Sequence, residues 1–567
     1  MSGQDRLLPI IRTRPWVQVT PKTPNTYVVM PGFMSACPFL VNMPLQRVSV
    51  LPYSSASGKA WSNRLIRRIM ANCRHRSILD VGAGAGFYSD DLRPRLPGVR
   101  FVAVEIWKDY ILEFNLDRKY DRVLNLDIRE WSPDEAFGIT ICGDVLEHMS
   151  KNDAIATYKK LLNSSEFIVL SIPVVPYPQG EYRGNPYERH IKDDWSHREV
   201  MESFPNIAIC RVENELGVYI GWNPDLHTAA EIAEANRPII GIYGIYKNEE
   251  KFIERFLDST KQADEIVLCD TGSTDETNER IQRFTEKHPE APVKTFSIHV
   301  SPWRFDDARN AALSLVGSDI DVCISMDIDE YLMEDWKAYL IRHWEYGITR
   351  YHHRFKTFWS PEHHTEHLHN RIHSRTGYTW KLPIHEILES HAEEKVKFLD
   401  DFYMFQEPDQ QKSRSYYLPL LLQSVRERKD IWKSWSFLAI EYLARGEWNE
   451  ARQAIETALA IADSDKAYLY LQLHEVYRNQ RNSSMALLCL NNAILHLPDR
   501  REPYVKKALY LNELERNGEA LFALNEAERL TSKIIDYHFT PIAWDPEFSR
   551  LKTKIGELAR MESGAIS

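Results

Sequence analysis

The sequence predicts a multidomain α/β protein that ends in an α-helical region. Two separate stretches, about 57–225 and 239–330, alternate short apolar segments typical of strands with segments typical of helices. Such alternation indicates a parallel sheet covered by helices, and two alternations imply two α/β domains. Strand signals stop near residue 430, and the rest of the sequence is helical and repetitive. The length of 567 residues fits about three to four domains at roughly 150 residues each.

The composition is that of a soluble globular protein. Hydrophobic residues make up 43% and charged residues 27% of the chain, and the formal net charge is −11. This acidic balance argues against nucleic acid and anionic lipid as partners. Seven scattered cysteines without metal-ligand spacing predict reduced thiols and a cytoplasmic location. The N-terminus lacks the apolar core of a signal peptide, and the sequence predicts no transmembrane helix.

Changes in pattern along the chain predict five segments. Residues 1–54 are rich in proline and lack periodicity, so we expect an N-terminal arm. The other segments are a first α/β domain over 55–226, a second α/β domain over 237–405, helical repeats over 430–535 and a C-terminal tail over 536–567.

The first α/β domain begins with a predicted helix in SGKAWSNRLIRRIMANC (57–73). A strand, a glycine turn and a second helix follow in SILDVGAGAGFYSDDL (77–92). Further strands are predicted in VRFVAVEI, RVLNLDI, GITICGDVL and EFIVLSIPV. Glycines in the turn permit positive φ and let the backbone approach a ligand closely. The turn alone does not separate NAD-binding sheets from methyltransferase sheets.

Acidic residues at the strand ends distinguish a methyltransferase sheet from an NAD-binding sheet. Glu105 ends FVAVEI, where a carboxylate would accept both ribose hydroxyls, and Asp127 ends VLNLDI, where it would bind an adenine amino group. With D-x-G-x-G-x-G and CGDVLEH (142–148), this order resembles the class I S-adenosylmethionine-dependent methyltransferases over about 55–225. The resemblance implies a Rossmann-like domain with cofactor contacts from Asp80, Gly82, Gly84, Gly86, Glu105, Asp127 and Asp144. Asp127 and Asp144 could instead be plain strand caps.

Methyl transfer to a hydroxyl also needs a base. His148, and His190 in NPYERHIKDDW, are the candidates, and each could instead be a structural histidine. The segment PYPQGEYRGNPYERH (176–190) is rich in turn formers and aromatic residues. We expect it to cover the acceptor, because ligands bind beyond the carboxyl ends of the strands in such sheets.

The second alternation follows a predicted linking helix, HTAAEIAEANRP (227–238). Its elements are strand IIGIYGIYKNEE, helix EKFIERFLDST, strand EIVLCD, turn TGSTD, helix ETNERIQRFTEKH, strand VKTFSIHV, helix DARNAALSLV and strand DVCISMDID. The ordered motifs NEE, ADEIVLCDTGSTD, ARN, DIDE and HE resemble the family 2 glycosyltransferases of the GT-A fold over about 237–400.

Two aspartates at the end of this alternation form a candidate metal site. Asp327 and Asp329 alternate with apolar residues in ISMDIDEYL (324–332). On a strand they would project to the same side, where a hard divalent cation could meet both. The resemblance implies a nucleotide-sugar donor and a divalent metal, manganese or magnesium. By this resemblance, Asp329 would bind the metal directly, and Asp327 would contact the metal or the ribose. His385 would be a further metal ligand or would contact a phosphate. It also implies donor contacts from Asn248, Glu249, Asp270, Arg309, Asn310 and Asp327.

Family 2 enzymes of this kind invert the anomeric carbon, so a base must deprotonate the acceptor. Glu386 and Glu330 both lie near the predicted site in the sequence, which does not choose between them and leaves a structural role open for each. The histidine-rich segment 351–375 has no clean zinc spacing. We expect an acceptor-facing loop or a partly solvated surface there, with a zinc-binding tract as the alternative.

Small residues recur in the C-terminal region. Spacings of 35 and 34 residues separate Ala451, Ala486 and Ala520, and likewise Ala458, Ala493 and Ala527. This resembles the tetratricopeptide repeat, in which small residues let paired helices approach closely. The resemblance implies a concave surface for a peptide or for self-association. A helical bundle without repeats is the alternative.

The combined interpretation is a bifunctional enzyme that transfers a sugar to a glycan or protein acceptor and methylates a hydroxyl. Fusion in one chain raises the effective concentration for sequential steps, so both activities are expected to act on the same glycan. Two alternatives stay open. The chain could be a glycosyltransferase alone, with a degenerate methyltransferase scaffold, or an assembly scaffold whose repeats organise partners.

Overall fold

The computed structural model describes residues 16–21, 58–360, 363–409, 417–534 and 540–564. The chain divides into two compact units, a smaller one at Pro38–Arg237 and a larger one that combines Met1–Cys37 with Pro238–Ser567. Most of the predicted N-terminal arm lies outside the described residues. Its described part is strand β1 (Trp16–Pro21), which pairs with a strand of the larger unit.

The smaller unit is built on a seven-stranded sheet. Its strands are β2 (Ser77–Val81), β3 (Arg100–Val104), β4 (Arg122–Leu124), β5 (Phe137–Gly143), β6 (Ser165–Pro173), β7 (Ile207–Glu213) and β8 (Leu216–Trp222). Its α-helices are α1 (Lys59–Met70), α2 (Phe87–Leu92), α3 (Lys108–Glu113), α4 (Leu116–Lys119), α5 (Lys151–Asn163), α6 (His197–Ser203) and α7 (Ala229–Asn236).

The strand order of this sheet is β4-β3-β2-β5-β6-β8-β7. Strands β2 to β6 run parallel, and β8 is antiparallel to both β6 and β7. Strand β2 is buried along its whole length because helices cover both faces of a parallel sheet. The order reverses between β2 and β5, and a ligand crevice is expected at the carboxyl ends of strands at such a point. This confirms the predicted Rossmann-like domain.

The larger unit is built on a nine-stranded sheet followed by helices. Its further strands are β9 (Ile240–Tyr246), β10 (Glu265–Asp270), β11 (Val293–Ser301), β12 (Val322–Ser325), β13 (Glu330–Leu332), β14 (Arg350–Ser360), β15 (His363–Ser374), β16 (Tyr378–Lys381), β17 (Ile387–Ser390) and β18 (Val396–Gln406). The helices among them are α8 (Ile253–Thr260), α9 (Thr277–Lys287), α10 (Phe305–Leu315) and α11 (Trp336–His343).

The order of the large sheet is β1-β11-β10-β9-β12-β15-β14-β18-β13, and β16 pairs with β17 separately. Strands β11, β10, β9 and β12 run parallel, as the second alternation predicts. Beyond β12 the sheet is mixed, because β15 is antiparallel to both β12 and β14.

Two local expectations were wrong. Strand β12 ends at Ser325, so Asp327 and Asp329 lie in the turn before β13 and not on a strand. A strand's alternation therefore does not explain their orientation. The histidine-rich segment is also not a loop, since it forms the antiparallel pair β14 and β15. Histidine at alternate positions places some side chains on the buried face, and His353 and His373 are fully buried there.

The C-terminal region is helical, as predicted. Its helices are α12 (Tyr417–Glu427), α13 (Trp432–Arg445), α14 (Trp448–Ile461), α15 (Lys466–Asn479), α16 (Ser483–His496), α17 (Arg501–Glu513), α18 (Asn517–Glu528) and α19 (Glu547–Gly564). The repeating alanines, Ala451, Ala458, Ala486, Ala493, Ala520 and Ala527, are all fully buried. Their small side chains permit close helix packing, and assignment to tetratricopeptide repeats stays a prediction. Part of the predicted C-terminal tail forms α19. In the described part of the chain, no helix is long and apolar enough to cross a membrane.

Candidate active sites

A cavity of about 2100 Å³ opens in the larger unit beyond the carboxyl ends of the parallel strands. Residues that follow β9, β10 and β12 line it, as do residues from β14, β15 and the C-terminal helices. Its lining includes seven residues with predicted roles: Asn248, Glu249, Arg309, Asp327, Asp329, His385 and Glu386. Asp270, Asn310 and Glu330 do not line it.

Two arginines hold the first aspartate of the pair. The Arg309 guanidinium donates to Asp327 Oδ1 at 2.6 Å, and Arg371 donates to Asp327 Oδ2 at 3.0 Å. Burial alone would raise the pKa of the Asp327 carboxyl, but the two guanidinium groups outweigh it and lower that pKa below its usual range. Asp327 is therefore an anion with a guanidinium on each oxygen.

Asp329 is held differently. Its carboxylate accepts from the Gln406 amide at 3.2 and 3.4 Å, and its main-chain carbonyl accepts from Arg255 at 3.1 Å. The carboxylate thus lines the cavity beside a neutral amide and carries the negative charge that a hard cation needs.

The two candidate bases differ in access. Glu386 lines the cavity with 11% of its side chain exposed, and its Oε1 accepts from Arg309 Nε at 2.8 Å. The Glu330 side chain is fully buried, accepts from the Asp327 amide at 2.9 Å and pairs with Arg371 at 2.9 Å. Burial, opposed by Arg371, raises the pKa of Glu330 to about 8. A molecule in the cavity could therefore contact Glu386, whereas the Glu330 side chain is buried behind the lining.

The turns that follow β9 and β10 are joined by hydrogen bonds beside the cavity. Asn248 has a positive φ of 57° and accepts the Thr274 amide at 2.7 Å. Asp270 accepts the amides of Gly272 and Ser273 at 3.0 and 2.8 Å. The Asp270 carboxylate therefore stabilises the TGSTD turn through its main-chain amides.

Asn310 also lies outside the cavity. Its side chain donates to the Trp380 carbonyl and accepts from the Trp380 amide, both at 2.9 Å. It holds β16 in place, while the Trp380 ring lines the cavity beside Arg309.

Aromatic residues from the C-terminal helices form one wall of the cavity. Tyr417, Trp432, Phe437 and Tyr468 lie on it. The exposed His385 has a positive φ of 51°, and its ring stacks on Phe437 with centroids 3.7 Å apart and planes at 13°. Ile384 shares a hydrophobic cluster with Leu420 and Leu438, so these helices pack against the turn that carries His385 and Glu386.

The glycine turn of the smaller unit adopts the backbone that the sequence predicts. Gly82, Gly84 and Gly86 have backbone φ values of 67°, 51° and 77°, which residues with a Cβ atom rarely adopt. The Glu105 carboxylate follows β3 and accepts the amides of Gly84 and Trp107, both at 2.9 Å. Glu105 is 5% exposed, and burial raises the pKa of its carboxyl.

The other acidic residues lie around this turn. Asp80 accepts from the Tyr120 hydroxyl at 2.5 Å, and burial raises the pKa of Asp80 to about 7. Asp127 pairs with Arg129 at 2.6 Å. Asp144 has a φ of 58° and accepts from the Ser171 hydroxyl at 2.6 Å.

His148 and His190 come together although 42 positions separate them in the chain. Their rings are 4.8 Å apart and inclined at 71°. Burial lowers the pKa of His148 to about 4, and burial also lowers the pKa of His190. Both are therefore neutral near pH 7, the form in which an imidazole can accept a proton.

Sequence reasoning missed three residues at these sites. Arg371 clamps Asp327 but lies in the histidine-rich segment, where its period-two spacing from His367, His369 and His373 was the available signal. Lys59 is 2% exposed and lies 3.8 Å from Asp144. Glu147, between Asp144 and His148, is also 2% exposed. Nothing in the local sequence indicates that Lys59 and Glu147 are buried.

Comparison with known proteins identifies part of the larger unit. Residues 245–398 match the model of the family described as Glycosyl transferase family 2. These residues contain Asn248, Arg309, Asp327, Asp329 and Glu386. The match confirms the predicted glycosyltransferase domain. A search of curated proteins found no match to the chain.

Solved structures similar to the chain include methyltransferases. A crystal structure of the N-terminal domain of EvdMO1 with SAH bound is 15% identical, with a TM-score of 0.24, and the match covers 29% of this chain and 80% of that chain. An S-adenosylmethionine-dependent methyltransferase from Clostridium acetobutylicum is 16% identical, with a TM-score of 0.24 and 29% and 91% coverage. A putative O-methyltransferase from Nostoc punctiforme is 12% identical, with a TM-score of 0.23 and 29% and 56% coverage.

Proposed function

We propose that the protein is a bifunctional transferase. The larger unit transfers a sugar from a nucleotide-sugar donor to a glycan or protein acceptor with inversion, and the smaller unit methylates a hydroxyl with S-adenosylmethionine. The observation that carries the first activity is the gathering of Asp327, Asp329 and Glu386 in one cavity, within residues that match family 2 glycosyltransferases. The unpaired state of the described cysteines fits a cytoplasmic location.

The donor side of the cavity fits a nucleotide diphosphate and a divalent cation. Asp329 offers oxygen ligands of the kind manganese and magnesium prefer. A bound cation would neutralise the charge that develops on the leaving diphosphate. Asp327, held by Arg309 and Arg371, is fixed for a contact to the ribose or to a water beside the metal. His385, whose ring stacks on Phe437 at the cavity wall, would contact a phosphate of the donor.

On the acceptor side, Glu386 is the proposed base. Arg309 Nε holds one of its oxygens, which orients the carboxylate in the cavity without removing its access to solvent. Glu386 would take the proton of the acceptor hydroxyl as that oxygen attacks the anomeric carbon. Glu330 is a support for Arg371 and is not a base in this scheme.

The aromatic wall of α12, α13 and α15 is the proposed acceptor surface. Flat amphipathic rings suit the apolar faces of sugars and of extended peptides. The helical region would then select the acceptor, and this role does not require partner binding or self-association.

Trp432→Ala will test this acceptor surface. We expect the KM for the acceptor to rise about tenfold with little change in donor hydrolysis, because one aromatic contact contributes about 1.4 kcal/mol. Steady-state kinetics with saccharide and polypeptide acceptors will show which class loses affinity. Phe522→Ala is the matched control, since Phe522 is an aromatic residue of α18 that is 66% exposed and outside the cavity. An unchanged acceptor KM in Trp432→Ala would show that the aromatic wall does not bind the acceptor.

The smaller unit fits S-adenosylmethionine at the point where its strand order reverses. The glycine turn and the Glu105 carboxylate adjoin there, and each Glu105 oxygen that accepts an amide keeps a second lone pair for a ribose hydroxyl. The bound cofactor would supply an activated methyl group. Asp144, with its backbone at positive φ, would complete the crevice from the end of β5.

Glu105→Ala will test cofactor binding by calorimetry with S-adenosylmethionine. We expect the Kd to rise about 10- to 100-fold, because hydrogen bonds to a charged group contribute about 1.5–3 kcal/mol. Glu113→Ala is the control, since Glu113 is an exposed glutamate at the end of α3. Absence of binding by the unaltered protein would favour the alternative of a glycosyltransferase alone.

The glycosylated product, supplied as methyl acceptor, will test whether both activities act on one glycan.

A further inference from the structure

Three side chains at the end of β5 form a compact cluster. One ligating atom from each of Glu147, His148 and His190 lies within 4.8 Å of the others. Among the described residues, no other group of three or more His, Cys, Asp or Glu side chains brings its ligating atoms this close together. Glu147 and His148 belong to the short 3-10 turn Leu146–His148, and His190 lies in the segment after β6.

The histidines are oriented by main-chain carbonyls. His148 Nδ1 donates to the Arg189 carbonyl at 3.2 Å, and His190 Nδ1 donates to the Tyr177 carbonyl at 2.6 Å. A carbonyl only accepts hydrogen bonds, so each Nδ1 carries the ring proton. Each neutral ring then presents a lone pair at Nε2. Metal-binding histidines are fixed in this way, with the second ring nitrogen donating to a carbonyl or carboxylate.

Glu147 supplies the second observation. Its side chain is 2% exposed, and Oε2 has no hydrogen-bond partner in the structure. An uncompensated buried carboxylate is costly, and a cation in the cluster would provide the missing partner. The Glu147 carbonyl accepts the amides of Ile191 and Lys192 at 2.9 and 3.0 Å. These bonds tie the segment that carries His190 to the turn that carries the other two side chains.

We propose that Glu147, His148 and His190 bind a divalent first-row transition metal ion, in the range from manganese to zinc. Two imidazoles and one carboxylate favour such an ion over magnesium or calcium, which prefer oxygen ligands. Three protein ligands leave a coordination position open, as in catalytic sites. The inference deepens the proposed methyltransferase function, on which its catalytic role rests, while the binding of the ion itself does not depend on that function.

The open position would take the hydroxyl oxygen of the methyl acceptor. Coordination lowers the pKa of a bound hydroxyl, so its proton passes to water. The oxygen lone pair then forms the new O–CH₃ bond, while the electrons of the S–CH₃ bond of the sulfonium stay on sulfur. His148 and His190 would act as ligands in this step and not as free bases.

Cobalt(II) binding will test the site with metal alone, in full-length protein carrying Asp329→Ala to remove the proposed glycosyltransferase ligand. We expect one equivalent of cobalt with visible absorption typical of nitrogen ligation. Added Glu147→Gln or His190→Asn should weaken binding at least about 100-fold, since each removes a ligand. His197→Asn, at an exposed histidine of α6 outside the cluster, should leave it unchanged.

Unchanged cobalt affinity in both ligand variants would overturn the proposal, as would absence of binding by the Asp329→Ala parent. Thermal unfolding of each variant will separate loss of a ligand from loss of the fold, and a cobalt loss without a lower Tm supports the site. Calorimetry with S-adenosylmethionine on the same proteins keeps the two inferences apart. Cobalt binding without cofactor binding would refute the methyltransferase and retain the metal site.

Discussion

Replacing Asp329 with alanine is expected to abolish metal-dependent sugar transfer. Asp329 lines the cavity, where its carboxylate accepts from the Gln406 amide, and its loss removes the proposed direct metal ligand. A metal ion contributes several kcal/mol to stabilising a leaving diphosphate, so turnover should fall at least about 1,000-fold. The measurement is hydrolysis and transfer across a panel of nucleotide sugars with manganese or magnesium.

Two controls accompany this variant. Asp258→Ala removes an exposed aspartate of α8 that pairs with Lys261, and we expect full activity. A chelator added to the unaltered protein should reproduce the Asp329→Ala loss, and added manganese should reverse it. Activity in Asp329→Ala comparable to that of the unaltered protein would remove Asp329 from the metal site.

Glu386→Gln is expected to lower kcat for sugar transfer about 10²- to 10⁴-fold, the contribution of a general base. Glutamine keeps the size of the side chain and still offers an oxygen to Arg309, so donor binding should persist. Calorimetry with the nucleoside diphosphate will measure donor affinity, and single-turnover kinetics will measure transfer. Equal activity of this variant and the unaltered protein would rule out Glu386 as the base.

Glu330→Gln is the matched comparison, and it should retain most activity. The pKa of Glu330 is raised to about 8, so its carboxyl is largely protonated near pH 7 and glutamine resembles it. The folded-state pKa lies above the unfolded value, so this group's stabilisation is fully present below about pH 4.5 and is lost as the pH rises through about 8. Thermal unfolding of Glu330→Gln should lack that part of the pH dependence.

Much of the fold followed from local sequence, because the strands of both parallel sheets are apolar runs separated by helices. The glycine turn was also predictable, since D-x-G-x-G-x-G requires positive φ, which Gly82, Gly84 and Gly86 adopt. The cavity carboxylates Asp327, Asp329 and Glu386 were found because they belong to ordered motifs. The family-model match over 245–398 confirms the predicted glycosyltransferase domain, and the roles of these three carboxylates stay predictions.

Other features depend on contacts between distant segments. The roles of Glu386 and Glu330 could not be separated in the sequence, because their difference in burial arises when β13 pairs with β18. The strands β14 and β15 were missed because histidine is a polar residue, although their alternation has the period of a strand. Arg371 reaches Asp327 across 44 positions, and no local pattern records that distance.

Carboxyl and guanidinium groups lead from the cavity into the buried interior in one chain of contacts: Glu386, Arg309, Asp327, Arg371 and Glu330. Arg309 and Asp327 each have two partners of opposite charge, so removing either one leaves buried charge on both sides. Removing a neighbour as well takes away part of that uncompensated charge, and the second loss then costs less than the first. Substitutions at these five positions are therefore epistatic. Sequence drift here should proceed by paired exchanges that keep the charges balanced, while residues outside the chain of contacts change independently.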